Sequence, residues 1–242
     1  MRILTVEGLC KNFGGLKAIN NLEFSVDEGE IFGIIGPNGS GKTTALNLIT
    51  GFLKPNSGQI TFQGENITGL PRYKINQKGI ARTFQLCKPF LDFTARQNVM
   101  VGRMYGQDPC GNIKMAAGES EEILDQVGLL SKSAVLVKDL RVMERKRLEL
   151  ARALATKPAL LLLDELMAGL NLAEADEVCQ LISRIRDSKV TVIMVEHIVK
   201  AVTCISNRIL VLNMGEKIAE GPPDEVIMQS NVVEVYLGKS HA

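Results

Sequence analysis

The spacing of apolar residues in the first third of the chain predicts strands and then a helix. Residues 22–26 alternate between apolar and polar side chains, and residues 31–35 form a continuous apolar run. Such a run is typical of a strand that is buried on both faces. Residues 43–50 have helical spacing and end at Gly51, a residue that commonly terminates helices.

The rest of the chain continues with alternating strands and helices. The elements expected after the first third are strands at 160–163, 190–195, 208–212 and 217–219 and helices at 144–156, 173–187, 198–205 and 232–237. Between about residues 88 and 140 the pattern changes: residues 94–104 and 119–127 have helical spacing and are separated by residues 106–111. We therefore expect one α/β domain, 1–242, with a largely parallel sheet and a helical insertion at about 88–140.

Composition and charge exclude several classes of protein. Of the 242 residues, 45% are hydrophobic and 23% are charged, and the formal net charge is +1. This balance argues against a protein that binds nucleic acid by neutralising many phosphates. No apolar stretch approaches the roughly 18 residues of a membrane span, and the N-terminus lacks a signal-peptide pattern. We expect a cytoplasmic chain with no direct membrane insertion.

The cysteines are scattered along the chain, without the close spacing of a metal site. They are Cys10, Cys87, Cys110, Cys179 and Cys204. This pattern predicts small buried side chains in a reducing compartment rather than a disulfide framework.

A glycine-rich loop between the strand at 31–35 and the helix at 43–50 carries the first candidate chemistry. It fits the pattern G-x-x-x-x-G-K-[ST], and its candidate nucleotide-binding residues are Gly36, Pro37, Asn38, Gly39, Ser40, Gly41, Lys42, Thr43 and Thr44. Glycines allow consecutive backbone N–H groups to cradle a phosphate at the positive end of the helix. Lys42 would reach the β- and γ-phosphates, and the Thr43 hydroxyl would ligate Mg²⁺. The expected cofactors are ATP and Mg²⁺.

Two carboxylates, Asp164 and Glu165, end the apolar run at 160–163. A buried strand would place them at the carboxyl edge of the sheet, beside the phosphate loop. Asp164 would hold Mg²⁺ through water, and Glu165 would polarise the attacking water as a general base. The alternative is a strand followed by a solvated acidic turn, which the neighbouring phosphate loop makes less favoured.

With these motifs in place, the whole chain resembles the ATP-binding subunits of ABC transporters. The resemblance implies a P-loop NTPase fold with a mostly parallel core, an N-terminal antiparallel β-subdomain and a helical subdomain. It also implies that Phe13 stacks on adenine and that Gln85 links Mg²⁺ and the lytic water to the helical subdomain. His197 would contact the γ-phosphate, which makes Glu165, His197 and Gln85 the candidate catalytic residues.

One motif departs from that family. The signature Leu-Ser-Gly-Gly-Gln is expected before the helix at 144–156, where this chain has Leu140 followed by Arg141, Val142, Met143 and Glu144. The resemblance implies that each signature closes the ATP site of a second cassette. Met143 is bulky where the backbone must approach phosphate, and Arg141 replaces a small donor. We expect one weakened composite site, which favours a heterodimer over a homodimer.

Smaller departures follow the carboxylates. Leu166 stands where the family usually has proline, and Asn171 stands where it usually has aspartate. Asparagine at 171 is common in the amino acid importers of the family. Leu166 would relax the turn that holds Glu165, and neither change removes a catalytic side chain.

Within the family, residues 49–52, 79–85, 147–154 and 232–238 are most similar to the ATPases of branched-chain amino acid importers. That resemblance implies integral-membrane permease subunits, a second ABC ATPase and an external binding protein as partners. The chain would lie peripherally on the inner face of the cell membrane through the permease. Phe90 and Phe93 are candidates for the permease contact, with packing inside the helical insertion as the alternative.

Other functions stay open at this point. ATPases of lipopolysaccharide exporters have a similar C-terminal stretch. A nucleotide-binding regulatory subunit with weak turnover is supported by the degenerate signature and opposed by the presence of Glu165 and His197. A soluble ABC protein of DNA repair or translation is disfavoured, because such proteins usually carry two cassettes or a long coiled-coil insertion.

Overall fold

The computed structural model describes residues 1–84, 88–196 and 199–237. Its strands are β1 Arg2–Phe13, β2 Leu16–Asp27, β3 Ile31–Ile35, β4 Ser57–Phe62, β5 Glu65–Asn66, β6 Ile80–Arg82, β7 Leu160–Asp164, β8 Thr191–Val195, β9 Arg208–Asn213 and β10 Glu216–Gly221. Its helices are α1 Lys42–Ile49, α2 Arg72–Gln77, α3 Ala95–Tyr105, α4 Ile113–Gln126, α5 Val142–Leu154, α6 Leu172–Asp187, α7 Val199–Ile205, α8 Pro223–Val226 and α9 Ser230–Leu237. Short 3₁₀ turns lie at Leu130–Lys132 and Val137–Asp139. The expected alternation of strands and helices is confirmed.

A first compact unit contains Met1–Arg72 and the described part of Met167–Ala242. Its antiparallel sheet has the strand order β2–β1–β4–β5. In its second set of strands, β3 runs parallel to both β8 and β9, and β10 pairs antiparallel with β9. The apolar strands β3 and β8 are buried along their whole length, which is typical of strands covered on both faces.

Close packing of α7 on β3 depends on one glycine. A Cβ atom added at Gly33 would lie 2.3 Å from Cγ1 of Val202 and 2.9 Å from Oγ of Ser206. These distances are far below van der Waals contact, so any larger residue would push α7 away from the strand. Gly33 therefore fixes the distance between this helix and the strand that leads into the phosphate loop.

A second compact unit spans Tyr73–Leu166. Within it, β6 runs parallel to β7, with Ile80 opposite Leu160 and Arg82 opposite Leu162. Helix α3 packs on α4 and α5. The stretch 88–140 contains α3, α4 and the 3₁₀ turns, and its role as an inserted subdomain stays a prediction.

The cysteines differ in part from the expectation of burial. Cys110 is buried and Cys10 and Cys179 are half-buried, but Cys204 is exposed, so the expectation was wrong for that residue. Cys204 lies on the short helix α7, and helical spacing alone did not indicate which face of α7 packs on β3. Cys87 lies outside the described residues.

Within the described ranges, no helix combines the length and the hydropathy needed to span a membrane.

Candidate functional site

The phosphate loop, residues 36–43, links β3 to α1 through a backbone path that requires glycine. Gly39 and Gly41 have φ angles of +79° and +108°, which side-chain-bearing residues rarely adopt. A Cβ atom at Gly36 would lie 2.1 Å from the carbonyl oxygen of Leu212, and one at Gly41 would lie 2.7 Å from that of Ala18. The loop is thus pressed against neighbouring backbone and keeps its shape only with glycine at these positions.

Helix α1 begins at the end of this loop, and none of the described side chains caps its N-terminus. Gly41 is its N-cap residue, and its first turn contains no acidic residue. The first N–H groups of a helix have no partner within the helix, and they carry partial positive charge. The start of α1 is therefore suited to receive an anion such as a phosphate.

Lys42 and Ser40 of the loop are also placed to bind a phosphate. Lys42 is buried, and its Nζ donates hydrogen bonds to the carbonyl oxygens of Gly36 at 2.8 Å and Pro37 at 2.9 Å. The hydroxyl oxygen of Ser40 is buried and has no hydrogen-bond partner in the described part of the chain. Thr43 is exposed on the first turn of α1. An unpartnered hydroxyl, a lysine and an uncapped helix fit a phosphate chain with its Mg²⁺ ion.

Tyr236 of α9 lies beside the start of this loop. Partial burial raises the pKa of Tyr236 to about 12, and a hydrogen bond with the backbone of Gly36 opposes that shift. A tyrosine is uncharged at neutral pH even at its ordinary pKa of about 10, and the shift of Tyr236 moves it further from ionisation.

Phe13 lies at the end of β1, where the chain turns into β2. Its ring is exposed, and Nζ of Lys11 lies 5.3 Å from the ring centroid. Lys11 is held in place by a 2.8 Å hydrogen bond from its Nζ to the carbonyl oxygen of Lys54. An exposed aromatic ring at a turn has room to stack on a planar base.

The candidate carboxylates end β7 in the second unit. Asp164 and Glu165 are both buried. Oδ2 of Asp164 lies 2.6 Å from Nη2 of Arg82, and the backbone N–H of Asp164 donates to Oγ1 of Thr83 at 3.3 Å. Oδ1 of Asp164 is buried and has no hydrogen-bond partner among the described residues. The alternative of a solvated acidic turn is therefore not what the structure contains.

Glu165 has a strained backbone. Its φ angle is +52°, in the left-handed region that residues with a side chain seldom adopt. The next residue of the turn is fixed by a hydrogen bond, because Nζ of Lys146 donates to the carbonyl oxygen of Leu166 at 3.0 Å. In the first unit, the backbone N–H of Met167 donates to Oε1 of the buried Glu196 at 2.7 Å. These contacts hold the chain immediately after the candidate general base.

Helix α5 begins with its own carboxylate at its N-terminus. Arg141 is the N-cap residue, and its backbone N–H donates a 2.8 Å hydrogen bond to Oε2 of Glu144. Oε1 of Glu144 lies 3.7 Å from Nζ of Lys132. Unlike α1, this helix has its positive end partly neutralised by an internal negative charge.

Comparison with known proteins decides which family this arrangement belongs to. The family model described as ABC transporter matches residues 19–168. The chain is 38% identical to the high-affinity branched-chain amino acid transport ATP-binding protein BraF of Pseudomonas aeruginosa, with 98% of each chain covered. It is 36% identical to the corresponding protein LivG of Escherichia coli K12, again with 98% of each chain covered.

The chain belongs to the ABC transporter family. Solved structures agree with this assignment. A nucleotide-free ATP-binding cassette from an ABC transporter superimposes with a TM-score of 0.90 at 30% identity, covering 99% of this chain and 100% of that one. An ATP-binding cassette of an ABC transporter in its ADP conformation gives the same values. The expected ABC ATPase fold class is confirmed, and so is the expected enzyme class, an ATPase of this family.

The structure of this ABC ATPase brings some predicted residues together and leaves others undescribed. The phosphate-loop residues 36–44 and Phe13 lie in the first unit, whereas Asp164, Glu165 and the signature positions lie in the second. Gln85 and His197 lie outside the described residues. Within the described ranges, no group of three or more His, Cys, Asp or Glu side chains could hold a metal ion. Mg²⁺ in nucleotide sites needs fewer, because it is usually bound by one or two protein oxygens together with phosphates.

Sequence reasoning did not assign a role to several side chains that hold this ABC site. Arg82 contacts Asp164 across 82 residues of sequence, Lys146 contacts Leu166 across 20, and Glu196 contacts Met167 across 29. A cation at the last residue of a strand parallel to β7 could have suggested the first of these pairs. The other two have no local sequence signal.

Proposed function

We propose that this chain is the ATP-hydrolysing subunit of a transporter that imports branched-chain or other hydrophobic amino acids. The observation that carries the proposal is the near full-length similarity to BraF and LivG, whose names describe branched-chain amino acid transport. The transported molecule would be selected by the membrane subunits. The role of this chain would be to convert ATP binding and hydrolysis into movement of those subunits.

The nucleotide site of this chain would bind MgATP through the phosphate loop. Lys42 would exchange its contacts with two loop carbonyls for phosphate oxygens, and the Ser40 hydroxyl would gain the partner that it lacks in the described part of the chain. Thr43 and Asp164 would supply oxygen atoms for the metal or its water ligands. A bound Mg²⁺ ion would supply positive charge to offset that of the phosphates.

Hydrolysis would be in-line attack of water on the γ-phosphate. Glu165, held by the strained turn after β7, would accept the proton of that water as general base. The family resemblance assigns Gln85 to the link between metal and lytic water and His197 to the γ-phosphate. Phe13 would stack on the adenine ring.

The contact with permease subunits would include Phe90 and Phe93. Both rings are exposed, and their centroids are 5.3 Å apart. Asn98 is fully buried and fixes the backbone of Phe90, accepting from its N–H and donating to its carbonyl oxygen, each at 2.9 Å. An exposed aromatic pair on a fixed backbone is suited to receive an apolar segment of a partner. The chain would then lie on the cytoplasmic side of the membrane through this contact.

The second cassette of the assembly would be a different chain. At the start of α5 the backbone N–H of Arg141 donates a hydrogen bond to the Glu144 carboxylate. This negative charge at the N-terminus of α5 would weaken the binding of a phosphate group from the partner's ATP. In a heterodimer only one of the two composite sites would have this defect. A second candidate function, a regulatory subunit with weak turnover, is favoured by the same observation and opposed by the buried, positioned Asp164 and Glu165.

Transport by the reconstituted complex tests the proposal. The chain, its partner cassette and its permease subunits are placed in lipid vesicles together with the external binding protein, and ATP-driven movement of radiolabelled leucine is compared with that of a lipid substrate. We expect leucine uptake that Glu165→Gln abolishes and that Glu122→Gln, an exposed carboxylate on α4, leaves intact. Lipid movement without leucine uptake would instead support an exporter, and uptake that survives Glu165→Gln would support the regulatory subunit.

A second arm tests the permease contact. Phe90→Ser is expected to reduce co-purification with the permease while ATP binding is retained. Tyr105→Ser is the control, because Tyr105 is exposed in the same unit but lies at the end of α3. Equal retention of the permease by both variants would show that the aromatic pair is not the contact.

A further inference from the structure

Arg82 and Asp164 form an ion pair in the interior of the second unit. Arg82 ends β6 and Asp164 ends the parallel neighbour β7. Nη2 of Arg82 lies 2.6 Å from Oδ2 of Asp164, and the two side chains are only 5% and 4% exposed. Charge-assisted hydrogen bonds of this length are among the strongest in proteins, and burial removes competing water.

This pair makes the two oxygens of the carboxylate unequal. Oδ2 is occupied by Arg82, whereas Oδ1 is buried without a hydrogen-bond partner among the described residues. Buried polar atoms normally have a partner, so an orphaned oxygen calls for one that the chain does not itself supply. A carboxylate oxygen in this position suits a divalent cation or a water molecule bound to it.

The surroundings of the pair restrict how it can move. The backbone N–H of Asp164 donates to Oγ1 of Thr83, and the backbone N–H of Thr83 donates to the carbonyl oxygen of Leu162 at 2.9 Å. The guanidinium of Arg82 also lies over the ring of Phe84, 5.3 Å from its centroid. A planar guanidinium can stack on a ring and bond a carboxylate at once, which a lysine ammonium does less well.

We propose that Arg82 is a positioning residue for Mg²⁺. It holds Asp164 by Oδ2, so that Oδ1 is the atom presented to the metal or to its water ligand. This inference rests on the proposed function, because the role of Asp164 toward Mg²⁺ is part of it. Groups that orient metal ligands typically change metal affinity by about 10- to 100-fold when they are removed.

The sign of the effect separates positioning from simple repulsion between charges. If Arg82 acted mainly as a competing cation, removing it would strengthen metal binding. If it orients Asp164, removing it weakens metal binding although a positive charge has been taken away. The two roles therefore predict opposite results for the same substitution.

The experiment measures what the metal adds to nucleotide binding. Dissociation constants for a fluorescent ATP analogue are measured with Mn²⁺ and with EDTA in the full chain, in a Glu165→Gln background that prevents turnover. The dissociation constant in EDTA is divided by that with Mn²⁺, so a larger ratio means that the metal adds more to nucleotide binding. This ratio is compared for Arg82→Gln, Arg82→Lys and Asp164→Asn. The matched control is Arg96→Gln, which removes an exposed arginine whose pair with Glu121 has a similar length, 2.7 Å.

We expect Arg82→Gln to reduce this ratio about 10-fold, Arg82→Lys to reduce it less, and Arg96→Gln to leave it unchanged. Binding in EDTA should be equal in all variants, which also shows that they are folded. An unchanged or increased ratio in Arg82→Gln overturns the inference, and if that variant does not fold, an unchanged ratio in Arg82→Lys does so. If Asp164→Asn also leaves the ratio unchanged, the proposed metal role of Asp164 fails as well. A reduced ratio in Asp164→Asn alone removes only the role of Arg82.

Discussion

The ammonium group of Lys146 donates a 3.0 Å hydrogen bond to the carbonyl oxygen of Leu166. Leu166 directly follows Glu165, whose backbone is strained, and it stands where the ABC family usually has proline. Lys146 lies on α5, the helix that begins at the degenerate signature. This contact therefore links that helix to the turn that carries the candidate general base.

Loss of this contact should lower the rate of ATP hydrolysis more than it lowers the affinity for ATP. We expect Lys146→Met to lower kcat for ATP roughly 10-fold in the assembled transporter, because misplacing a reacting group by about 1 Å can cost about 100-fold in rate. The dissociation constant for ATP should change little, since Lys146 is remote in sequence from the phosphate loop. Lys138→Met, which removes an exposed lysine of the same unit, is the control. Parallel losses of binding and turnover would argue against a positioning role.

Gly36 should be irreplaceable for steric reasons. Gly36→Ala would place a Cβ 2.1 Å from the carbonyl oxygen of Leu212, so the phosphate loop must shift. We expect loss of ATP binding and a clear fall in melting temperature. Gly29→Ala is the matched control, because Gly29 has a φ of +75° with nothing within 4 Å of an added Cβ. It should cost only the roughly 1–2 kcal/mol of a left-handed residue. Similar melting temperatures for the two variants would contradict this explanation.

A buried arginine in the second unit should make stability depend on pH. Arg103 is 3% exposed, and its guanidinium bonds the Glu119 carboxylate. The hydrogen bond from Arg103 lowers the pKa of Glu119, and the same bond raises the pKa of Arg103. We expect Glu119→Gln to reduce the free energy of unfolding by about 2 kcal/mol at pH 7, a typical value for a hydrogen bond to a charged group.

The pH dependence of this loss follows from the direction of the shift. A carboxylate with a lowered pKa in the folded state stabilises the protein above its unfolded pKa of about 4.3, and this contribution disappears as pH falls through the folded value. The difference in the free energy of unfolding between wild type and Glu119→Gln, measured by urea unfolding, should therefore shrink as pH falls from about 5 to about 3. Glu121→Gln removes an exposed pair with Arg96 and should cost less than about 1 kcal/mol. If the loss of unfolding free energy in Glu119→Gln were the same at all pH values, the pair with Arg103 would not be the source of the pH dependence.

Much of the fold was predictable because its signals are local. The apolar run at 31–35 is β3, and the helix expected at 43–50 is α1, Lys42–Ile49. The alternation at 22–26 predicted too short a strand, since β2 extends over Leu16–Asp27 and pairs with β1, Arg2–Phe13. Their pairing has repeated register shifts, which break the alternation that the sequence would otherwise display.

The candidate site was predictable only where a motif carries the chemistry. The phosphate loop and the pair Asp164–Glu165 have fixed spacing, so the sequence located them. The partners of those residues come from distant parts of the chain. Arg82 meets Asp164 only because β6 and β7 pair side by side, and no pattern within either strand encodes that pairing. The same limit applies to Lys146, whose contact depends on how α5 packs.

The central claim is that this chain has a competent nucleotide site of its own but a defective signature at α5. Steady-state ATP hydrolysis by the purified chain alone tests it most directly, beside Glu165→Gln and the double variant Arg141→Ser/Met143→Gly. The account predicts that the wild type is nearly inactive and that the double variant gains turnover that Glu165→Gln abolishes. Hydrolysis by the wild type alone that depends on Glu165, with no gain from the double variant, would contradict the claim and indicate a self-sufficient homodimer.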